Sequence, residues 1–111
     1  MVDSTNLSMR VELFIAGRKL KDLDAFSKSD PQCRVYEMIN NTWVLRGSTE
    51  QVKNNLNPDF TARITLNYFF EKAQRLKFEM IDGDGAGDYD LIGIVETTMG
   101  GIMGARALVL T

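Results

Sequence analysis

The chain has 111 residues, a formal net charge of −2, 44% hydrophobic residues and 25% charged residues. That is enough chain for one domain with one apolar core, without the overall basicity that binding to nucleic acid would need. Histidine is absent and Cys33 is the one cysteine, which excludes histidine-based nucleophile activation, histidine metal ligands, an internal disulfide and any multi-cysteine metal site.

Residues 1–8 are polar and are expected to be a flexible segment ahead of a domain spanning 9–111. Met9, Val11, Leu13 and Ile15 recur with period two and predict the first strand. Cys33, Val35, Glu37 and Ile39 predict a second, with Cys33 and Val35 facing the core. Asn40-Asn41 reads as a tight turn, because Asn tolerates the left-handed backbone region. Trp43 to Val52 returns as a strand broken near Gly47, and Asn54 to Pro58 is a polar turn. Ile64, Leu66 and Tyr68 mark a further strand, Phe69 to Arg75 is given one helical turn, and residues 75–82 alternate clearly as a strand. Leu91 to Thr98 follows, glycines punctuate residues 100–104, and Arg106 to Thr111 is a last strand candidate. About seven to eight short strands with Gly, Pro, Asn and Asp between them predict an all-β, antiparallel β-sandwich.

The aspartates are unevenly placed. Seven of nine fall in two windows: Asp22, Asp24 and Asp30, then Asp82, Asp84, Asp88 and Asp90. Each window is a connection between strands, and alternate connections of a sandwich lie at one end, so the two can meet. Converging carboxylates repel one another, and a hard cation removes that cost. Calcium accepts about six to eight oxygens in flexible geometry, whereas magnesium demands a strict octahedron. One acidic loop alone reads as a solvated loop; two that hold most of the aspartates favour a cation. The second window starts like a helix-flanked calcium loop, but Ala86 and Gly93 stand where that loop needs ligands, and strands flank it. Asp22 and Asp88 are read as extra charges that focus cations, with plain solvation as the equal alternative.

Asp24 is followed by Ser29-Asp30-Pro31, Asp82 and Asp84 by Asp90 and Leu91-Ile92-Gly93, and Asn57-Pro58 by Phe60. In this pattern the chain resembles a C2 domain, the calcium- and phospholipid-binding β-sandwich. The stretches FSKSDPQC, STEQVKNNLNPDF, YFFEKAQRLKFEMID and TMGGIMG look most like the first C2 domain of a copine, so the chain is expected to be a fragment of a larger protein. The resemblance implies that Asp24, Asp30, Asp82, Asp84 and Asp90 are calcium ligands. Asp30 and Asp82 would be shared between two ions, and backbone carbonyls near Leu23 and Gly83 would add to the shells. It implies a module without catalysis of its own, cytoplasmic and recruited to an anionic phospholipid membrane surface when calcium rises. Phe26, Lys28 and Ala86 are the candidates for membrane contact, and Lys19, Lys21, Arg46 and Lys53 for anionic headgroups, with a scattered solvated face as the blander reading of the cations. The alternative is a calcium-independent domain that binds protein partners. Self-association through an exposed edge strand is also expected, because residues 1–8 make a poor strand and a closing eighth strand would lie after Thr111.

Overall fold

A computed structural model describes residues 8–22, 29–83 and 89–104. Six strands occur among these residues: β1 (Ser8–Leu13), β2 (Pro31–Ile39), β3 (Thr42–Ser48), β4 (Ile64–Phe69), β5 (Arg75–Gly83) and β6 (Tyr89–Thr98), followed by α1 (Met99–Met103). They form two antiparallel sheets, one of order β3-β2-β5-β6 and one pairing β1 with β4. This is the all-β sandwich that the period-two pattern predicts. The strand expected over Arg106 to Thr111 lies outside the described residues. β1 begins at Ser8, one residue before the expected start of the domain; residues 1–7 lie outside the described residues.

The core follows from alternation. On β2, Cys33 and Val35 are fully buried, and on β5 Leu76, Phe78 and Met80 turn the same way. They meet Ile64 and Leu66 of β4 and Met99 of α1 across the sandwich. Fully burying a side chain such as Leu76 contributes roughly 1.5–3 kcal/mol. Burial also pushes the Cys33 thiol up to about 12, with Glu79 adding to the effect, which marks the residue as core and not as a reactive nucleophile.

Two bulges shape the four-stranded sheet. Val35 pairs with Gly47 and Tyr36 with Leu45, so Arg46 is the extra residue on β3. Met80 pairs with Gly93 and Ile81 with Leu91, so Ile92 is the extra residue on β6. Packing is close at Gly47, where β3 approaches β4: a Cβ there would stand 3.1 Å from Ile64 Cδ1. The β2–β3 turn is built as the Asn pair predicts, with φ of 50° at Asn40 and 63° at Asn41.

Three expectations need correction. The strand beginning near Trp43 ends at Ser48, because Thr49 turns back onto β2: its N–H donates to Cys33 O (2.8 Å) and its hydroxyl accepts from Cys33 N–H (2.9 Å). Residues 70–74 form a turn and bend without a helix. There the Gln74 side chain accepts from Phe69 N–H (2.8 Å) and donates to Asn67 O (2.8 Å), replacing the bonds a helical turn would make. Conversely, the glycine-punctuated stretch is helical: Thr98 caps α1 by accepting from Gly101 N–H, and Met99 anchors it in the core.

Candidate functional site

The site grows out of the ends of β2, β5 and β6. Pro31 on β2 lies opposite Asp82 on β5, and Asp82 lies opposite Asp90 on β6. The sheet register therefore sets the last residue before β2, Asp30, beside Asp82 on β5, with Asp90 one strand further away on β6. Asp82 is 5% exposed, Asp30 is half-buried and Asp90 is exposed. Asp30 N–H donates to Asp82 Oδ1 at 3.0 Å, which joins the two acidic segments directly.

Each connection is fastened at its base. Ser29 of the Ser-Asp-Pro triplet is fully buried, and its hydroxyl donates to Lys21 O (2.9 Å), closing the stem of the first loop. The Asn-Pro-x-Phe turn holds the approach to that loop. Gly17 N–H donates to Pro58 O (2.9 Å), Leu20 N–H to Leu56 O (3.0 Å) and Phe60 N–H to Ile15 O (3.0 Å). Lys19, at φ 52°, donates its N–H to Asn57 Oδ1 (2.9 Å). This turn is therefore a clamp on residues 15–20, ahead of the first loop.

A third segment, between β3 and β4, completes the base. Asn54 N–H donates to Asp30 Oδ1 (2.8 Å) and Asn55 N–H to Ser29 O (3.1 Å). Gln51 Nε2 donates to Asp30 O (3.1 Å) and to Gly83 O (2.7 Å). Asp30 and Asp82 thus each spend one carboxylate oxygen on a backbone N–H, which fixes the side chains. The acidic pattern gives no sign of Gln51 and Asn54, because an uncharged amide and a main-chain N–H leave no charge signature.

Of the five expected ligands, Asp30 and Asp82 come together and Asp90 follows in register. Asp24 and Asp84 lie outside the described residues, as do Leu23, Phe26, Lys28, Ala86 and Asp88. Among the described residues no group of three or more acidic or cysteine side chains is close enough to hold a metal ion. The donors present are all oxygen, carboxylate and main-chain carbonyl, which is the chemistry a hard cation selects. Gly83 O, expected near the ion, accepts from Gln51.

The expectation for Arg46 resolves away from this end. Arg46 donates to Glu37 Oε1 (2.9 Å), and the same carboxylate accepts from Gln74 (3.1 Å) in a groove of about 550 Å³ between β2–β3 and β4. Trp43 is half-buried on the outer face of the larger sheet, with Arg75 and Lys77 5.5 and 5.0 Å from its ring centre.

A sandwich with its acidic connections gathered at the ends of β2 and β5 is the plan of a C2 domain, and the family model for the C2 domain matches residues 9–108. The chain belongs to the C2 domain family. It is 48% identical over 101 residues to Copine-E of Dictyostelium discoideum, an alignment covering 85% of this chain and 17% of that protein. It is 42% identical over 101 residues to Nicotinic receptor-associated protein 1 of Caenorhabditis elegans, covering 76% of this chain and 16% of that one. The chain therefore spans less than a fifth of the length of these relatives. Among solved structures, BON1-C2B superposes with a TM-score of 0.76 at 27% identity, covering 92% of this chain and 72% of that one. These likenesses define a C2 module of the copine type, a class whose members bind membranes or proteins.

Proposed function

We propose that the chain is a calcium-dependent binder of anionic phospholipid surfaces, with the aspartates of two loops as its metal site. The observation that carries this reading is the direct bond from Asp30 N–H to Asp82 Oδ1, which sets two negative side chains from distant parts of the sequence at one end of the sandwich. Asp30, Asp82 and Asp90, with Asp24 and Asp84 from the same two windows, would hold the ion. When bound, calcium supplies positive charge at this rim and coordination positions for the oxygens of an anionic headgroup. The chain's own residues keep the carboxylates in register: Asn54 and Asp30 N–H groups fix one oxygen each, and Ser29 and the Asn57-Pro58 clamp hold the loop stems. Phe26, Lys28 and Ala86 are the proposed points of contact with the lipid surface.

Membership of the C2 family supports a binding role, and catalysis is not part of the proposal. Cytoplasmic residence and recruitment on a calcium rise belong to the same reading. The test is sedimentation with vesicles of phosphatidylcholine alone or mixed with phosphatidylserine, each with calcium or with a chelator. The expected result is pelleting with mixed vesicles and calcium only. A chain that stays in the supernatant under all four conditions overturns the reading and leaves a calcium-independent protein-interaction module in its place.

A further inference from the structure

We propose that Gln51 is a positioning residue that sets the spacing between the two acidic loops and thereby tunes their affinity for calcium. The inference rests on the calcium reading above. Its ground is one amide group with two destinations: Gln51 Nε2 donates to the carbonyl of Asp30, at the end of the first loop, and to the carbonyl of Gly83, directly after Asp82 in the second. Both hydrogens of the amide are used, one on each loop.

A tie controls spacing only if its own base is fixed, and this one is. Thr49 exchanges two bonds with Cys33, and Val52 N–H donates to Pro31 O (2.9 Å). The segment carrying Gln51 is therefore fastened to the first turn of β2 on both sides of residue 51. Asn54, on the same segment, holds Asp30 Oδ1. Fit around the amide is close: a Cβ added at Gly83 would stand 3.1 Å from Gln51 Nε2, so glycine leaves room for the tie. Partners that orient metal ligands without touching the metal commonly change affinity by about 10- to 100-fold when removed.

The test compares Gln51→Leu with Gln32→Leu. Both remove a side-chain donor to a main-chain carbonyl in the same junction, Thr49 O in the case of Gln32, but only the first releases Asp30 and Gly83. Two readouts are taken: the half-saturating calcium concentration, and amide hydrogen exchange of the metal-free protein. Gln51→Leu is expected to raise half-saturating calcium on the order of tenfold and to speed exchange at Asp30 and Asn54. Gln32→Leu is expected to leave the calcium midpoint within about twofold. Gly83→Ala, which presses on the amide without removing it, is expected to shift the midpoint in the same direction by less. Equal midpoint shifts in Gln51→Leu and Gln32→Leu, or exchange at Asp30 and Asn54 unchanged in Gln51→Leu, overturn the tie. A wild-type chain that leaves calcium unbound overturns the functional reading and the tuning role with it. In that case faster exchange in Gln51→Leu still distinguishes a working tie from a failed one.

Discussion

Asp82 combines burial with an internal bond, and Asn can imitate one of its two jobs. In Asp82→Asn the side-chain oxygen still accepts from Asp30 N–H, so the fold is expected to survive while one negative charge leaves the site. Calcium affinity should then fall on the order of tenfold or more, because charge count tunes such sites. Titration calorimetry checks this against Asp59→Asn, which removes only an exposed pair with Arg18 worth less than about 1 kcal/mol. An affinity equal in the two variants would remove Asp82 from the site. Glu50 has a structural duty instead. Its carboxylate accepts from the N–H and the hydroxyl of Thr61, both at 2.7 Å, and from Ala62 N–H, and these bonds draw its pKa down from 4.5 to about 2. The charged form is thus favoured in the folded state. Its stabilising contribution is complete above the unfolded value of 4.5 and is lost as pH falls from there toward about 2. Melting temperatures recorded down this range should fall less steeply for Glu50→Gln than for the wild type, and parallel curves would deny Glu50 the role.

At the scale of elements, β5 is one of the two inner strands of the larger sheet, paired with β2 on one side and β6 on the other. Leu76→Ala leaves a cavity at a fully buried position and should cost about 2–5 kcal/mol, measured by denaturant unfolding. A loss below about 1 kcal/mol would mean the site collapses freely. The alternation of β5 and β2 is legible because one face of each strand is dry and the other wet, which period two records directly. Local hydrogen-bonding side chains are not recorded that way. Thr49 ended β3 early through its hydroxyl, Gln74 replaced a helical turn through its amide, and Thr98 started α1 in spite of Gly100 and Gly101. Each is a polar side chain acting on a main chain a few residues away or on a neighbouring strand, and hydropathy does not register it. The same reason divides the candidate site. The aspartates announce themselves by charge, and Asn40-Asn41 by backbone tolerance, whereas Gln51 becomes visible only once β2 and β5 are side by side.

For the whole molecule, the proposed site is something that only folding assembles. The sandwich brings Asp30 and Asp82 together only in the folded chain; in the unfolded chain, 52 residues separate them. A cation held by both therefore binds the folded state and not the unfolded one. It stabilises the fold by RT ln(1 + [L]/Kd), about 2.7 kcal/mol at a hundredfold excess over Kd. For a domain of this size that corresponds to a rise in melting temperature on the order of 10 °C. Magnesium, which requires strict octahedral geometry and gives up its water reluctantly, should raise it far less. By the same relation a raised Kd moves the response to higher calcium, so Asp82→Asn and Gln51→Leu should both need more calcium for the same rise in melting temperature. Amide exchange of the metal-free protein separates a ligand from a tie, since Asp82→Asn keeps the bond from Asp30 N–H and Gln51→Leu loses both bonds of the Gln51 amide. A melt that millimolar calcium leaves unmoved would deny the two loops a common metal site.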